Sequence, residues 1–182
     1  MCYEYGFSWF FNNKWWTIDF TDGKGYIEKN WGKAFPFSWK WIQCNSFKNT
    51  DASISCSIGH IPFLSSSFRG FLIGVEFNKK FFKFTSINKS KLTLNQNLSD
   101  IKLNVCNDKY NLEITTVTNK KMYMMLNGPR DNKMQPLVRE TLNGTVFVKL
   151  SDKSRNIIFE DVGYRAGIEY GGNEKLVLDG LK

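Results

Sequence analysis

Between Glu28 and Phe47 the chain reads EKNWGKAFPFSWKWIQCNSF. Trp31, Trp39 and Trp41, three of the six tryptophans, sit in this stretch, and no tryptophan follows Trp41. Tryptophan carries a large apolar surface that has to be buried or stacked on something. The run then ends in the amides Gln43 and Asn45. On a strand, Trp39, Trp41, Gln43 and Asn45 would share one side, with the two indoles roughly 6–7 Å apart. Indole faces stack on rings and attract positive charge, each worth about 1–2 kcal/mol when desolvated. Amide groups hydrogen-bond oxygens. Two aromatics followed by two amides therefore suit an amphiphilic ligand made of a polar ring and an apolar tail. The competing interpretation is structural: Trp31, Trp39 and Trp41 as core, and Gln43 and Asn45 satisfying backbone groups at a sheet rim.

Other reactive types offer less. Cys2, Cys44, Cys56 and Cys106 show no CxxC spacing, and His60 is the sole histidine. A zinc site wants close pairs of Cys or His, so no metal is expected, and nothing in the pattern asks for a cofactor. Cys44 reads as a small buried hydrophobe. Cys56 and His60 invite a nucleophile–base pairing, but four strand residues span about 13 Å, too far for proton transfer. Gly23-Lys24-Gly25 lacks the spacing of a phosphate loop.

The elements that must position these residues read as strands. Trp39, Trp41 and Gln43 alternate with Lys40, Ile42 and Cys44; Ile54, Cys56 and Ile58 alternate with serines. Ile101, Leu103 and Val105, Leu112 and Ile114, and Val146, Val148 and Leu150 repeat the period of two. That period puts one face in and one face out. Turn signals fall at Asp22-Gly23, Asn78-Lys79-Lys80, Asn107-Asp108, Asn127-Gly128-Pro129, Ser151-Asp152-Lys153 and Gly171-Gly172. Many short strands at regular spacing predict an all-β antiparallel barrel or strongly curved sheet with few short helices. The segment from Asn132 to Leu142 is the one candidate helix. The 182 residues predict a single domain over 1–172 with a peripheral tail at 173–182.

The formal charge of +8 permits attraction to nucleic acid or to an anionic membrane surface. The basic residues are scattered, and every arginine lies downstream of the tryptophans. Specific nucleic-acid binding is therefore not expected, whereas peripheral membrane contact stays open. The start, MCYEYGFSWFFNNKWW, carries Glu4 and lacks a basic segment and a small-residue cleavage site. It reads as no signal peptide, which predicts a cytoplasmic protein with reduced thiols.

The block from Gly25 to Phe47 resembles the tocopherol cyclase family, whose members carry EKNWG, then FP, then W-x-W-x-Q-C-N-x-F. Here these are Glu28, Lys29, Asn30, Trp31, Gly32, Phe35, Pro36, Trp39, Trp41, Gln43, Cys44, Asn45 and Phe47. Weaker similarity continues through Ala52 to Leu64, Asn127-Gly128-Pro129, Arg139-Glu140 with Gly144, Ile158-Phe159-Glu160, and Ala166, Ile168-Glu169 and Gly171-Gly172. The opening of the block also resembles the related carotenoid hydratase-like proteins. The family is longer, and this chain is similar to its C-terminal portion. The resemblance implies a lipocalin-like antiparallel β-architecture that holds an isoprenoid.

It also implies a reaction. Chromanol ring closure by such enzymes puts a proton on a prenyl double bond, a tertiary cation develops, and a phenol oxygen attacks it. This is the chemistry of an intramolecular lyase. Trp31, Trp39 and Trp41 would face the ligand, and Gln43 and Asn45 would hold quinol oxygens. Glu28, within the best-matched block, is the first candidate for proton donor, followed by Glu169 and Glu140 in the later segments. An apolar pocket can keep such a carboxyl protonated, although Glu28 could instead pair with Lys29, Lys33 or Arg139. The alternative function is a lipid or isoprenoid carrier without chemistry. The expected partner is a hydrophobic small molecule, and the oligomeric state is left open.

Overall fold

The computed structural model describes residues 10–12, 17–19, 21, 23–29, 35–97 and 100–172. The chain divides into two compact units, Met1–Asn30 and Trp31–Lys182. In the first, β1 (Phe10–Asn12) and β2 (Thr17–Asp19) pair antiparallel. The boundary falls inside the tryptophan-rich block, so Glu28 belongs to this first unit.

The second unit is built from β3 (Ser38–Cys44), β4 (Ala52–Phe63), β5 (Ser66–Phe77), β6 (Lys80–Thr85), β7 (Lys91–Asn97), β8 (Asp100–Cys106), β9 (Tyr110–Val117), β10 (Met124–Arg130), β11 (Lys133–Asp152) and β12 (Ile157–Gly172). They form one antiparallel sheet in the order β6-β5-β4-β3-β12-β11-β9-β8-β7, with β10 also paired to β11. The fold is all-β, as the alternation predicts. Of the two forms expected, closed barrel or curved sheet, the pairing is that of an open sheet: its path runs from β6 to β7 without joining them. The described helical structure is a single 3-10 turn, Lys120–Met122. No described helix is long and apolar enough to cross a membrane.

Every alternating set from the sequence buries one face. Ile42, Ile54, Cys56, Ile58, Ile73, Val75, Phe84, Leu103, Leu112, Ile114, Val148 and Ile168 join one hydrophobic cluster. Rings link distant strands across it: Phe77 to Phe159 at 5.1 Å, and Phe82 on β6 to Tyr110 on β9 at 5.1 Å. The two flanks of the sheet thus bury a common face, which is how a single sheet shields its apolar side.

Three local expectations fail, one of them at Gly171-Gly172, which pairs with β3 as the end of β12. The segment from Asn132 to Leu142 is not helical: Asn132 is in the turn before β11 and the rest lies in β11, where residues 133–136 and 138–140 pair with β10 and residues 138–141 with β12. Flanking strands claim this backbone, and Pro136 sits beside a register shift, a place where a strand tolerates proline. Asn127-Gly128-Pro129 is no turn but part of β10. The chain reverses instead at Asp131-Asn132, both left-handed, with φ of 52° and 57°. Asn78-Lys79 does the same between β5 and β6, with φ of 50° and 59°. Paired left-handed residues match the twist of a two-residue hairpin.

Asp161 fastens one end of this core. It is 6% exposed, and its carboxylate accepts the Asn49 N–H at 2.8 Å, the Asn49 amide at 3.0 Å, the Thr50 hydroxyl at 2.9 Å and the Val162 N–H at 2.8 Å. Burial pushes this carboxyl up, but the four hydrogen bonds outweigh it and hold it below the usual carboxylate range. A depressed folded value stabilises the fold above the unfolded value of about 3.9, and that stability is lost as pH falls through the folded one. Asp161→Asn is therefore expected to cost about 1–3 kcal/mol near pH 7 and to converge on wild type at lower pH. Urea denaturation at a series of pH values checks this; a deficit independent of pH would contradict it.

Cys56 is fully buried, and desolvation pushes its thiol up to about 12. Burial raises Cys44 as well. The thiolate is the reactive form, so in native protein at pH 8 iodoacetamide is expected to leave Cys56 unmodified and to modify it only after denaturation. Peptide mass mapping reads this directly; native labelling of Cys56 as fast as that of the half-buried Cys106 would contradict it.

Candidate functional site on the outer face of the sheet

β3 lies between β4 and β12, and the register fixes what surrounds each of its side chains. Trp39 stands opposite Gly59 and Gly171, Trp41 opposite Ser57 and Glu169, and Gln43 opposite Ser55 and Gly167. Directly opposed residues share a face. Trp39, Trp41 and Gln43 therefore line one face together, the one opposite the Ile42 and Cys56 core. Asn45 lies beyond the end of β3 at Cys44, so strand alternation does not fix its side. Trp31 lies outside the described residues.

Glycines make room for the indoles. A Cβ at Gly167 would come within 2.9 Å of the Trp41 ring, and one at Gly171 would overlap the Trp39 ring. Phe35 and Pro36 use two further glycines. A Cβ at Gly128 would meet the Phe35 ring at 2.6 Å, and one at Gly59 would touch Pro36 at 3.7 Å. The Phe35 N–H is bonded to the Pro129 carbonyl at 3.1 Å, and the Phe35 ring packs on Trp39 at 5.1 Å. Trp39 is thereby covered, 7% exposed, whereas Trp41 is half-buried. On the core face, the Cys44 sulfur and the Phe47 ring occupy the space beside Gly163. The sequence block and the glycines of β12 are thus complementary surfaces.

Two predicted carboxylates join the tryptophans. The Trp39 indole N–H donates to Glu169 Oε1 at 2.5 Å. Glu169 stands opposite Trp41 on one side and Glu140 on the other, and Glu140 stands opposite Met124. One row across the sheet therefore runs Trp41, Glu169, Glu140, Met124, with both glutamates half-buried. The Leu142 side chain lies 3.6 Å from the Cβ position of Gly167, beside Trp41. Exposed Met124, Leu126 and Leu142 give the row apolar surroundings. The Gln43 amide nitrogen is buried and has no hydrogen-bond acceptor among the described residues.

Glu28, the first candidate for proton donor, is exposed in the first unit and accepts a hydrogen bond from the Tyr26 hydroxyl. Glu169 and Glu140 belong to the second unit. His60 is occupied by Ser67, its Nε2 lying 2.7 Å from the Ser67 hydroxyl. Among the described residues, no three His, Cys, Asp or Glu side chains gather as a metal site would require. Sequence reasoning missed Gly163, Gly167 and Gly171. Their spacing of four along one strand was a signal, but only the register with β3 reveals what each glycine accommodates.

Comparison with known proteins bears on this geometry. A rice protein (Oryza sativa subsp. japonica) described as a probable chloroplastic tocopherol cyclase is 23% identical over 164 residues, covering 85% of this chain and 35% of its own. A chloroplastic tocopherol cyclase of Zea mays is 34% identical over 71 residues, covering 37% of this chain and 15% of its own. The chain thus spans about a third or less of these relatives' length. A crystal structure of a protein described as an AttH from Nitrosomonas europaea superposes with a TM-score of 0.48 at 6% identity, covering 73% of this chain and 50% of that one. The family model described as tocopherol cyclase-like matches residues 10–172, which takes in β1 to β12 and every candidate site residue. The chain belongs to the tocopherol cyclase-like family.

Proposed function

We propose that this chain binds a prenylated quinol, or a similar ring with an isoprenoid tail, on the Trp39–Trp41–Gln43 face, and closes the ring by acid catalysis. The observation that carries this reading is the row Trp41, Glu169, Glu140, with the Trp39 N–H on Glu169. Ring closure needs one group to give a proton and one to take it, and two carboxyls on adjacent strands supply both. Glu169, held by the indole, is the base, and Glu140 is the acid. Glu140 protonates the prenyl double bond, and the tertiary cation that forms is stabilised by the neighbouring indole face. The phenol oxygen attacks it, and the phenol proton leaves to Glu169. Atoms are conserved, so the net change is an isomerisation. The Gln43 N–H donates to the quinol's second oxygen, which supplies its missing partner.

Incubating the protein with prenyl-benzoquinols of several tail lengths and analysing for chromanol tests the catalytic step. Absence of product at every length removes it. A carrier without turnover is the second reading, favoured by the cover Phe35 places on Trp39, which takes that indole face away from a developing cation. In that case native mass spectrometry shows a bound isoprenoid while no chromanol forms.

A further inference from the structure

One end of the sheet carries apolar side chains into water. A row of paired residues crosses β5, β4, β3, β12, β11 and β10 as Gly70, Gly59, Trp39, Gly171, Val138 and Leu126. Just past this row β3 begins at Ser38 and β12 ends at Gly172. The β4–β5 and β10–β11 hairpins run on beyond it, to turns at Leu64-Ser65 and Asp131-Asn132. About five further residues carry each turn roughly 17 Å past Trp39. The segment between the hairpins is tied to both. The Phe37 N–H donates to the His60 carbonyl at 2.9 Å, and the Phe35 N–H to the Pro129 carbonyl at 3.1 Å.

The β4–β5 turn is apolar where comparable turns are polar. Leu64 is left-handed, with φ of 52°, and 93% exposed. The other described non-glycine residues of positive φ are all asparagine, aspartate, lysine or arginine. Leucine serves the fold poorly there, because left-handed backbone favours Gly and Asn and this side chain meets water. Phe63 beside it is 60% exposed, and its ring meets the Phe68 ring edge-on at 6.0 Å. Ile61 pairs with Phe68 and lies 3.5 Å from the Cβ positions of both Gly59 and Gly70, on the tryptophan face. An apolar stripe thus descends from the turn toward Trp39. Exposed apolar surface of this kind marks contact with a protein or with lipid. Charge favours lipid. No residue from Ala52 to Val75 is acidic, and residues 128–139 of the second hairpin hold Arg130, Lys133 and Arg139 against Asp131 alone. Apolar tips beside basic residues suit the boundary between acyl chains and anionic head groups.

We propose that the Phe63-Leu64 turn docks the protein on an anionic bilayer, inserting among the acyl chains while Arg130 and Lys133 meet the head groups. Ile61 and Phe68 then link the bilayer to the tryptophan face. Co-sedimentation of the full chain with vesicles of phosphatidylcholine and phosphatidylserine in equal parts, and of phosphatidylcholine alone, tests this. Wild type is expected to bind the mixed vesicles at least tenfold more tightly than the neutral ones. Asparagine suits a left-handed turn better than leucine, so Leu64→Asn should melt no lower than wild type, which separates lost binding from lost folding. Leu64→Asn is expected to weaken binding to mixed vesicles about tenfold. Ile87→Asn removes a 94% exposed side chain from the loop after β6 and is expected to bind as wild type does. The vesicles hold no prenylated quinol, so the result is independent of ring closure. The proposal is overturned if mixed vesicles bind no better than neutral ones, if folded Leu64→Asn binds as wild type does, or if Ile87→Asn loses as much. A dimer seen by light scattering, lost in Leu64→Asn while vesicle binding is not, would give the turn to a second copy of the chain and overturn it too.

Discussion

Gly171→Ala is expected to destabilise the protein by about 2–4 kcal/mol, the range of a severe packing defect. The new methyl group would overlap the Trp39 ring and approach the Leu137 carbonyl oxygen to 2.6 Å. A ring held by Phe35 on one side and by its bond to Glu169 on the other cannot move away cheaply. Gly25→Ala provides the contrast, because nothing lies within 4 Å of its Cβ position. Denaturant unfolding should separate the two, and an unchanged midpoint for Gly171→Ala would mean that Trp39 does not rest on β12. Gly167→Ala should cost less alone, and pairing it with Trp41→Leu should recover about 1–2 kcal/mol through the space the smaller side chain leaves.

Glu140→Gln and Glu169→Gln are each expected to lower the rate of chromanol formation about 10²–10⁴-fold, the usual worth of a general acid or base. Glutamine keeps the size of each side chain, so both proteins should melt close to wild type. The double variant should be little slower than the worse single one, because groups acting in one step are not additive. Glu28→Gln should leave the rate unchanged. A loss of rate in Glu28→Gln with none in the other two would move the proton donor to the first unit.

The strands were legible because burial on one face imprints a period of two: Ile54, Cys56 and Ile58 are all core residues, as their alternation with serine implies. The placement of Trp39, Trp41 and Gln43 on one face was legible for the same reason. The order of the strands was not. β3 pairs with β12, whose Glu169 lies 130 residues from Trp39, and no local pattern encodes that register. Asn132 to Leu142 imitates a helix because Leu137, Val138 and Leu142 fall at helical spacing, yet two neighbouring strands claim its backbone. The polar groups behind the tryptophans were also hidden. Lys40 in a strand reads as the solvent-facing partner of Trp39 and Trp41, whereas the core lies on the lysine side. The side a strand buries depends on what the remainder of the sheet covers.

The tryptophan face as a ligand site is tested most directly by titrating the protein with a prenylated benzoquinol while following tryptophan fluorescence, in wild type and in Trp41→Leu. Saturable quenching in the wild type, with affinity reduced at least tenfold in a folded Trp41→Leu, is the predicted result. Equal affinity in the two proteins, measured for the variant by calorimetry, would contradict it.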